Sequence, residues 1–293
     1  MVYFVEEKKL NNYLFTPEDY IYNKTLGVGA LQRLEVNYPF WILFNSGVVD
    51  IKLISPKEIP KKNYNDVIVF YGGHESIVDP RILESKARKI QIVTDTPIIE
   101  ACDAYITYDP SVVERDSFRR WFHVMYPLPI GIKRCNPSWP PENICCISPE
   151  SASVKELKYK KEYNFIEDSY SNKGDEDVFF HIRTDITKNL IHKGISSRMK
   201  FPSHKTANRL FQAWFCGVPS VLSSNPAMEY IKSSEYDFLE AKDLESLNYQ
   251  IERLRGDREL FYKMKNNSDK RSKENSYRNI TDQWIKVIEY FKK

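Results

Sequence analysis

Short apolar runs alternate with amphipathic stretches along the first half of the chain. Five of these runs are rich in β-branched and aromatic residues and predict strands. They cover residues 2–5, 51–55, 66–71, 90–94 and 104–107. Strands separated by helical stretches are typical of a parallel, doubly wound sheet. Ligands of such sheets bind beyond the carboxyl ends of the strands, so the loops directly after the strands are the first places to look for a site.

Residues 126–141 contain five of the sixteen prolines and show no periodicity, which predicts a boundary between two domains. We therefore expect one domain over residues 1–132 and another over residues 133–293. Residues 280–291 carry apolar positions at helical spacing and predict an amphipathic last helix. Apolar runs in the second domain predict strands at 143–148, 178–182 and 220–223.

The most informative segment is residues 205–231, which predicts a helix, a tight turn, a short strand and the start of a second helix. Apolar residues recur at helical spacing in its first part: Ala207, Leu210, Phe211, Trp214 and Phe215. Gly217 and Pro219 are expected to end that helix. Two helix N-termini then face one sheet edge, where their N–H groups and partial positive charge suit phosphate. Lys205 and Arg209, one turn apart, add full charges at the first of them.

The same segment resembles the nucleotide-sugar half of GT-B glycosyltransferases. The shared features are Ala213, the turn Gly217-Val218-Pro219, the strand residues Val221 and Leu222, the loop 223–226 and Glu229. Residues 236–239 match the strand that follows in this family, and Asp243 matches the start of the next helix. The resemblance implies an α/β fold of two Rossmann-like, doubly wound domains, with an interdomain cleft and a last helix that crosses back to the first domain.

The resemblance also implies an activity. GT-B enzymes move a sugar from a nucleoside-diphosphate sugar to an acceptor hydroxyl, here expected on a glycan or glycoprotein. The nucleotide sugar is a co-substrate and no cofactor is expected. No metal is expected either, because the acidic run Asp175-Glu176-Asp177 lies in a polar loop, where solvation is its expected fate, and the other aspartates are not paired as a metal clamp. The first domain takes the acceptor and the second the donor. The predicted donor-binding residues are Lys205, Arg209, His204, Gln212, Ser223, Ser224, Glu229, Arg183 and Gly131.

Retaining GT-B enzymes of the common bacterial type carry two glutamates, eight positions apart, just before the alanine that matches Ala213. Both glutamates are replaced in this chain. The matching positions hold His204 and Gln212. A glutamine amide both donates and accepts, so Gln212 can still bind a ribose hydroxyl. His204 is chemically different from glutamate, and a capping or loop histidine is an equal alternative for it. An inverting reaction is therefore slightly favoured over a retaining one.

An inverting reaction needs a base in the first domain that takes the proton of the acceptor hydroxyl. The candidates directly follow predicted strands: His74, Glu75 and Asp95. The unperturbed pKa of histidine suits the role, although a plain loop histidine is the alternative for His74. Asp95 fits equally well as the N-cap of a helix. Gly27 and Gly29 precede a predicted helix and form either an acceptor-side loop that approaches the donor or an ordinary loop.

Composition limits the partners. A chain of 293 residues with 42% hydrophobic residues is globular rather than disordered. Its net charge is only +3, so no nucleic-acid partner is expected. Residues 255–293 hold eleven Lys/Arg against six Asp/Glu, which fits a solvated helical face or a peripheral contact with anionic lipid. Five cysteines without zinc spacing, and no apolar run of membrane-spanning length, indicate a cytoplasmic protein.

Two other functions stay open. The replaced glutamates also fit a GT-B-like protein that binds a nucleotide or glycan without turnover, and a nucleotide-sugar epimerase of GT-B shape. The Lys-, Asn- and Tyr-rich character and residues 1–15 further resemble glycosyltransferases of large algal viruses (chlorovirus type), which decorate capsid protein. That resemblance implies a UDP-sugar donor, with UDP-xylose as the specific expectation. No motif specifies the donor base, the acceptor or the stereochemistry.

Overall fold

A computed structural model describes residues 1–6, 36–48, 50–60, 64–72, 78–94, 96–126, 134–141, 143–146, 164–167, 181–182, 207–222 and 224–292. The described residues form two compact units. The first unit holds the chain up to Tyr126 together with residues 276–292, and the second holds the described residues from Arg134 to Asn275. The predicted boundary at 132/133 lies outside the described residues and stays a prediction.

The first unit contains a six-stranded, fully parallel sheet, here called sheet 1, with the strand order β2-β1-β3-β4-β5-β6. Its strands are β1 (Val2–Val5), β2 (Ile51–Ile54), β3 (Val67–Tyr71), β4 (Arg88–Val93), β5 (Ala104–Thr107) and β6 (Trp121–His123). The helices described between them are α1 (Tyr38–Asn45), α2 (Pro80–Glu84) and α3 (Pro110–Arg115). Most strand residues are buried, as expected for a sheet covered on both faces.

The second unit contains a five-stranded parallel sheet, here called sheet 2, with the strand order β11-β10-β9-β7-β8. Its strands are β7 (Asn143–Cys146), β8 (Asn164–Glu167), β9 (His181–Ile182), β10 (Ser220–Leu222) and β11 (Leu239–Glu240). Its described helices are α4 (Asn208–Cys216), α5 (Pro226–Ile231), α6 (Leu244–Gly256) and α7 (Arg258–Glu274). Helices α6 and α7 pack Ile251, Phe261 and Met264 on Val221 of β10.

The last helix, α8 (Tyr277–Lys292), belongs to the first unit. The ring of Trp284 lies 5.9 Å from that of Phe4 in β1. The side chain of Gln283 accepts a hydrogen bond from the backbone N–H of Met125 at 2.7 Å. The chain thus leaves sheet 2 after α7 and returns to sheet 1. The predicted fold class, two parallel α/β sheets with a last helix that returns to the first, is confirmed.

A buried carboxylate organises the second unit. Asp237 is 1% exposed and accepts hydrogen bonds from the backbone N–H groups of Ser233 and Ser234, at 2.7 and 2.9 Å. The side-chain amide of Asn267 donates to it at 2.9 Å, and the guanidinium of Arg271 forms an ion pair with it at 3.2 Å. These bonds join the segment after α5 to helix α7.

Arg271 and Trp214 extend this contact to helix α4. The guanidinium carbon of Arg271 lies 4.3 Å from the centroid of the Trp214 ring, a cation–π contact. The indole N–H of Trp214 donates to the backbone carbonyl of Asp237 at 3.2 Å. The hydroxyl of Ser268, also on α7, donates to the carbonyl of Val218 at 3.1 Å. Helix α4 is therefore held along its length by α7 and by the turn at Asp237.

Several element bounds differ from the predictions. Residues 236–239 were predicted as a strand, but β11 begins only at Leu239. The reason is Asp237, whose bonds to the N–H groups of Ser233 and Ser234 close a turn there. Strands β6 and β8 are additional elements. The strand β6 has only three residues and follows charged positions, so its apolar pattern is too short to detect.

Replacing Asp237 with alanine is expected to lower the free energy of unfolding by about 3–5 kcal/mol. It removes the acceptor of two backbone N–H groups and of the Asn267 amide, and it takes one of the two carboxylates that pair with Arg271. Urea unfolding followed by circular dichroism measures the change. The matched control is Glu259→Ala on the exposed face of α7, the helix that carries Arg271. It removes the ion-pair partner of Lys263, 2.7 Å away, and should have a far smaller effect. Equal losses for both variants would contradict the role of Asp237.

Candidate functional site

No side chain of the described residues caps the start of helix α4. The residue before it is Ala207, and no acidic residue lies in its first turn. By contrast, Asp243 caps α6 and Asp257 caps α7, each accepting from a backbone N–H at 2.8 Å. The first N–H groups of a helix have no acceptor within the helix, and they carry partial positive charge. The start of α4 is therefore the described helix start of this unit best suited to an external anion.

Arg209 and Gln212 lie on one face of α4, three residues apart. Arg209 places a full positive charge in the first turn of this helix. Gln212 is 5% exposed, and its carbonyl Oε1 accepts no hydrogen bond within the described part of the chain. A buried polar atom without a partner is costly, so a group that donates to it would be stabilised there.

Helix α4 ends in a tightly packed turn. Gly217 has φ +72°, in the left-handed region that favours glycine. A Cβ atom there would lie 3.0 Å from Asp269 Oδ1 and 3.4 Å from the carbonyl oxygen of Cys135. The N–H of Cys135 donates to the carbonyl of Cys216 at 2.8 Å. Because a helix joined by a short turn to the next strand runs antiparallel to it, the start of α4 lies at the edge where β10 ends.

The loop after β10 contributes polar groups at this same edge. The hydroxyl of Ser224 donates to the carboxylate of Glu229 in α5. Asn225 caps α5 by accepting from the N–H of Met228 at 2.9 Å. The edge of a parallel sheet beyond the carboxyl ends of its strands is where ligands bind. Arg209, Gln212, Ser224 and Glu229 therefore form the described part of the candidate site in the second unit.

Sheet 1 carries a buried carboxylate at the edge formed by the carboxyl ends of its strands. The strand order 2-1-3-4-5-6 places the topological switch point at β1, and Glu6 follows that strand directly. Glu6 is 2% exposed, and the side-chain amide of Asn37 donates to its Oε2 at 2.9 Å. The backbone N–H of Glu6 donates to the carbonyl of Ile54 at 3.0 Å. A carboxylate is thus fixed at the switch point of the first unit.

The loop after β4 is fixed by two side chains of the sheet. Gln91 donates from Nε2 to the carbonyl of Pro97 at 2.7 Å and accepts from the N–H of Ile99 at 2.8 Å. The hydroxyl of Tyr105 donates to the carbonyl of Ile99 at 2.9 Å. These bonds hold residues 96–99, which directly follow the predicted base Asp95, in one conformation.

His123 ends β6 at the same edge of sheet 1. Burial lowers the pKa of His123, and the nearby carboxylate of Asp109 opposes that shift. The imidazole is therefore neutral at neutral pH, and its Nε2 makes no hydrogen bond to any described residue. His123 is a proton acceptor at the ligand edge that the sequence pattern did not single out, because it lies in an unpredicted strand.

The structure covers only some of the predicted site residues. It brings Ser224 and Glu229 into contact and places Arg209 and Gln212 on one helix face. Helix α4 begins at Asn208, three residues later than predicted, because its apolar periodicity starts only at Ala207. Ten predictions lie outside the described residues and stay predictions: His74, Glu75, Asp95, Lys205, His204, Ser223, Arg183, Gly131, Gly27 and Gly29.

Two negative findings concern the described residues alone. Within them, no group of three or more His, Cys, Asp or Glu side chains is arranged to hold a metal ion. Within the same residues, no helix combines the length and the apolar character that crossing a bilayer requires.

Comparison with known proteins gives likenesses of structure rather than of sequence. No family model matches the chain, and no curated protein matches it. The crystal structure of the GtfA/B complex matches with 10% identity and a TM-score of 0.43, over 78% of this chain and 57% of that one. The pneumococcal O-GlcNAc transferase GtfA in complex with UDP and GlcNAc matches with 12% identity and a TM-score of 0.40, over 78% and 57%.

An α1,3-fucosyltransferase with GDP-fucose matches with 11% identity and a TM-score of 0.44, over 78% of this chain and 75% of that one. The chain thus spans 57% of the length of the GtfA/B structure and of the pneumococcal GtfA.

Replacing Gly217 with alanine is expected to lower the free energy of unfolding by roughly 1–2 kcal/mol, because a Cβ at positive φ is strained. The matched control is Gly256→Ala at the end of α6, where a Cβ would meet no atom within 4 Å. That variant should be neutral or slightly stabilising, since alanine favours a helix. Thermal unfolding of both variants distinguishes them, and an unaffected Gly217→Ala protein would contradict the tight turn that fixes α4.

Proposed function

We propose that the chain is a glycosyltransferase that moves a sugar from a nucleoside-diphosphate sugar to a hydroxyl of a glycan or glycoprotein. The observation that carries the proposal is the start of α4. It is a helix N-terminus that no described side chain caps, with Arg209 in its first turn, at the carboxyl edge of a parallel sheet. Backbone N–H groups, a partial positive charge and a guanidinium together match a diphosphate. The resemblance of residues 205–231 to GT-B enzymes supports the same function.

The leaving group determines what the site must stabilise. When the bond between the anomeric carbon and the diphosphate oxygen breaks, the bonding electrons stay on the oxygen and the diphosphate gains negative charge. The helix start and Arg209 are fixed before the reaction, so they stabilise this charge without reorganising. Because a helix terminus and basic side chains supply this stabilisation, the proposed mechanism needs no metal and no cofactor.

Gln212 gives the site a way to hold the nucleoside. Its buried Oε1 accepts no hydrogen bond from a described residue, and a ribose hydroxyl is a donor of suitable size. Ser224 and Glu229 lie in the loop and helix that follow β10, where hydroxyls of the donor sugar are expected. A UDP-sugar is the proposed donor, with UDP-xylose as the first to test.

The first unit is proposed to supply the base. In an inverting reaction the acceptor oxygen attacks the anomeric carbon as the diphosphate leaves, and the hydroxyl proton goes to the base. His74, Asp95 and Glu75 are the proposed bases, of which His74 is preferred. Glu6 is the described carboxylate at the switch point of that unit, so it joins them as a candidate.

Replacing Arg209 with alanine is expected to weaken the binding of UDP by about 10- to 100-fold, the equivalent of roughly 1.5–3 kcal/mol for a charge-assisted hydrogen bond. A thermal-shift panel of UDP, GDP, TDP and CMP first identifies the nucleotide that raises the melting temperature of the intact chain. Isothermal titration calorimetry with that nucleotide then compares the variant with the parent.

The matched control is Arg258→Ala. Arg258 also lies in the first turn of a helix of the second unit, but Asp257 caps that helix. Equal weakening by both variants, or no nucleotide binding at all, would contradict the proposed site. Binding without release of UDP from a UDP-sugar and acceptor would leave a nucleotide-binding protein instead of a transferase, and conversion of the UDP-sugar without acceptor would make it an epimerase.

A further inference from the structure

A buried asparagine contacts Glu6 at the carboxyl edge of sheet 1. Asn37 directly precedes α1 and is fully buried. Its side-chain amide donates from Nδ2 to Oε2 of Glu6 at 2.9 Å. Helix α1 is joined by a short turn to β2 and runs antiparallel to it, so the start of α1 lies at the edge where β1 and β2 end. The fold therefore brings together two side chains that are thirty-one residues apart in the sequence.

The packing of the first unit fixes the backbone of both partners. The N–H of Glu6 donates to the carbonyl of Ile54, the last residue of β2, at 3.0 Å. Three residues after Asn37, the ring of Phe40 in α1 lies 6.0 Å from that of Phe4 in β1. Because the core holds both backbones, the hydrogen bond between the two side chains sets the orientation of the carboxylate.

Among the described residues of this unit, two other carboxylates are buried, and each has a structural role. Asp66 precedes β3 at the amino edge and pairs with the N-terminal ammonium of Met1 at 3.0 Å. Asp109 caps α3 and pairs with Arg115 at 3.2 Å. Glu6 lies instead at the topological switch point, where the loops after neighbouring strands diverge and leave a crevice for ligands. Glu6 is therefore the buried carboxylate placed where an acceptor is expected.

The hydrogen bond from Asn37 affects the chemistry of this carboxylate. A donated N–H stabilises the ionised form of a carboxylate over its protonated form. Each carboxylate oxygen has two lone pairs, so the bond orients Glu6 without using up its capacity to accept a proton. A base must be ionised before it takes a proton. Asn37 thus favours the form of Glu6 that a base requires.

We propose that Asn37 is a positioning residue that holds Glu6 ionised and oriented as the base of the transfer. The inference rests on the proposed function, and it selects Glu6 among the candidate bases because the partner of Glu6 is described. The acceptor oxygen forms a bond to the anomeric carbon, and its proton passes to the Glu6 carboxylate. The bond between the anomeric carbon and the diphosphate breaks, and its electrons leave with the diphosphate. Asn37 acts through Glu6 and does not touch the substrate.

Release of UDP from UDP-xylose, with water as the acceptor, tests the two roles without a glycan. Glu6→Gln should lower kcat roughly 100-fold or more, because general-base catalysis is lost. Asn37→Asp removes the donor and places a second carboxylate beside Glu6, which makes the ionised form of Glu6 less stable. The acid limb of the kcat profile should therefore move to higher pH, by about one unit or more. Asn37→Ala, which only removes the donor, should move it in the same direction by less.

A split between kcat and KM separates this role from a loss of structure. KM for UDP-xylose should not change in either Asn37 variant, because the proposed donor site lies in the second unit. Thermal unfolding and UDP binding show whether each variant is folded.

Two matched controls make the same exchanges elsewhere in the first unit. Asn45→Asp introduces the same charge at the other, exposed end of α1. Asp66→Asn removes a buried carboxylate at the amino edge. Both controls should keep the kcat of the parent and the pH dependence of that kcat.

Carboxyl carbon NMR of the chain labelled at glutamate measures the effect on Glu6 without turnover. The Glu6 signal is the one that Glu6→Gln removes. Its titration midpoint should rise in Asn37→Asp and in Asn37→Ala, because both variants take away the hydrogen bond that stabilises the ionised form. The midpoint should stay unchanged in Asn45→Asp.

The outcomes separate this inference from the proposed function. A parent chain that does not bind UDP would contradict the proposed function. Binding and release of UDP with an unshifted profile in both Asn37 variants would overturn this inference alone. An unchanged titration midpoint in those variants, the kcat of the parent in Glu6→Gln, or an equal shift in Asn45→Asp would overturn it as well.

Discussion

The second unit depends on one buried carboxylate. Asp237 satisfies two backbone N–H groups, an amide and a guanidinium, and these groups come from the segment after α5 and from α7. A charge without partners is costly in the interior, so this set forms together or not at all. Through the contact of Arg271 with Trp214, the same set holds helix α4 against helix α7. The orientation of α4 thus follows from the hydrogen bonds and the ion pair that Asp237 makes in the interior.

A fixed α4 gives the unit its proposed chemistry. The turn Gly217-Val218-Pro219 reverses the chain between α4 and β10. The start of α4 therefore lies at the edge of sheet 2 where ligands bind. A helix with only a structural role is expected to have a capping side chain at its start, as α6 and α7 do. Here the cap position holds alanine and the first turn holds arginine. The backbone N–H groups at such a start suit an anionic ligand, and a diphosphate has the charge and the acceptors to bind there.

Local patterns predicted much of this architecture. Strands β1 and β5 appear with the predicted bounds because each is a continuous apolar run, and Gly217 takes the positive φ expected of it. Long-range bonds were not predictable in the same way. The turn at Asp237 depends on Asn267, thirty residues away, and Glu6 depends on Asn37, thirty-one residues away. In the candidate site, Arg209 was therefore found from helical spacing and Gln212 from the resemblance to GT-B enzymes, whereas Glu6 was not found.

A crystal structure of the chain grown with UDP tests the central claim most directly. We expect the β-phosphate within hydrogen-bonding distance of the backbone N–H groups at the start of α4, with the Arg209 guanidinium on the same phosphate. The ribose should place a hydroxyl against Oε1 of Gln212. A nucleotide bound elsewhere, or a side chain of the protein itself capping α4 while Arg209 points into bulk solvent, would contradict the account.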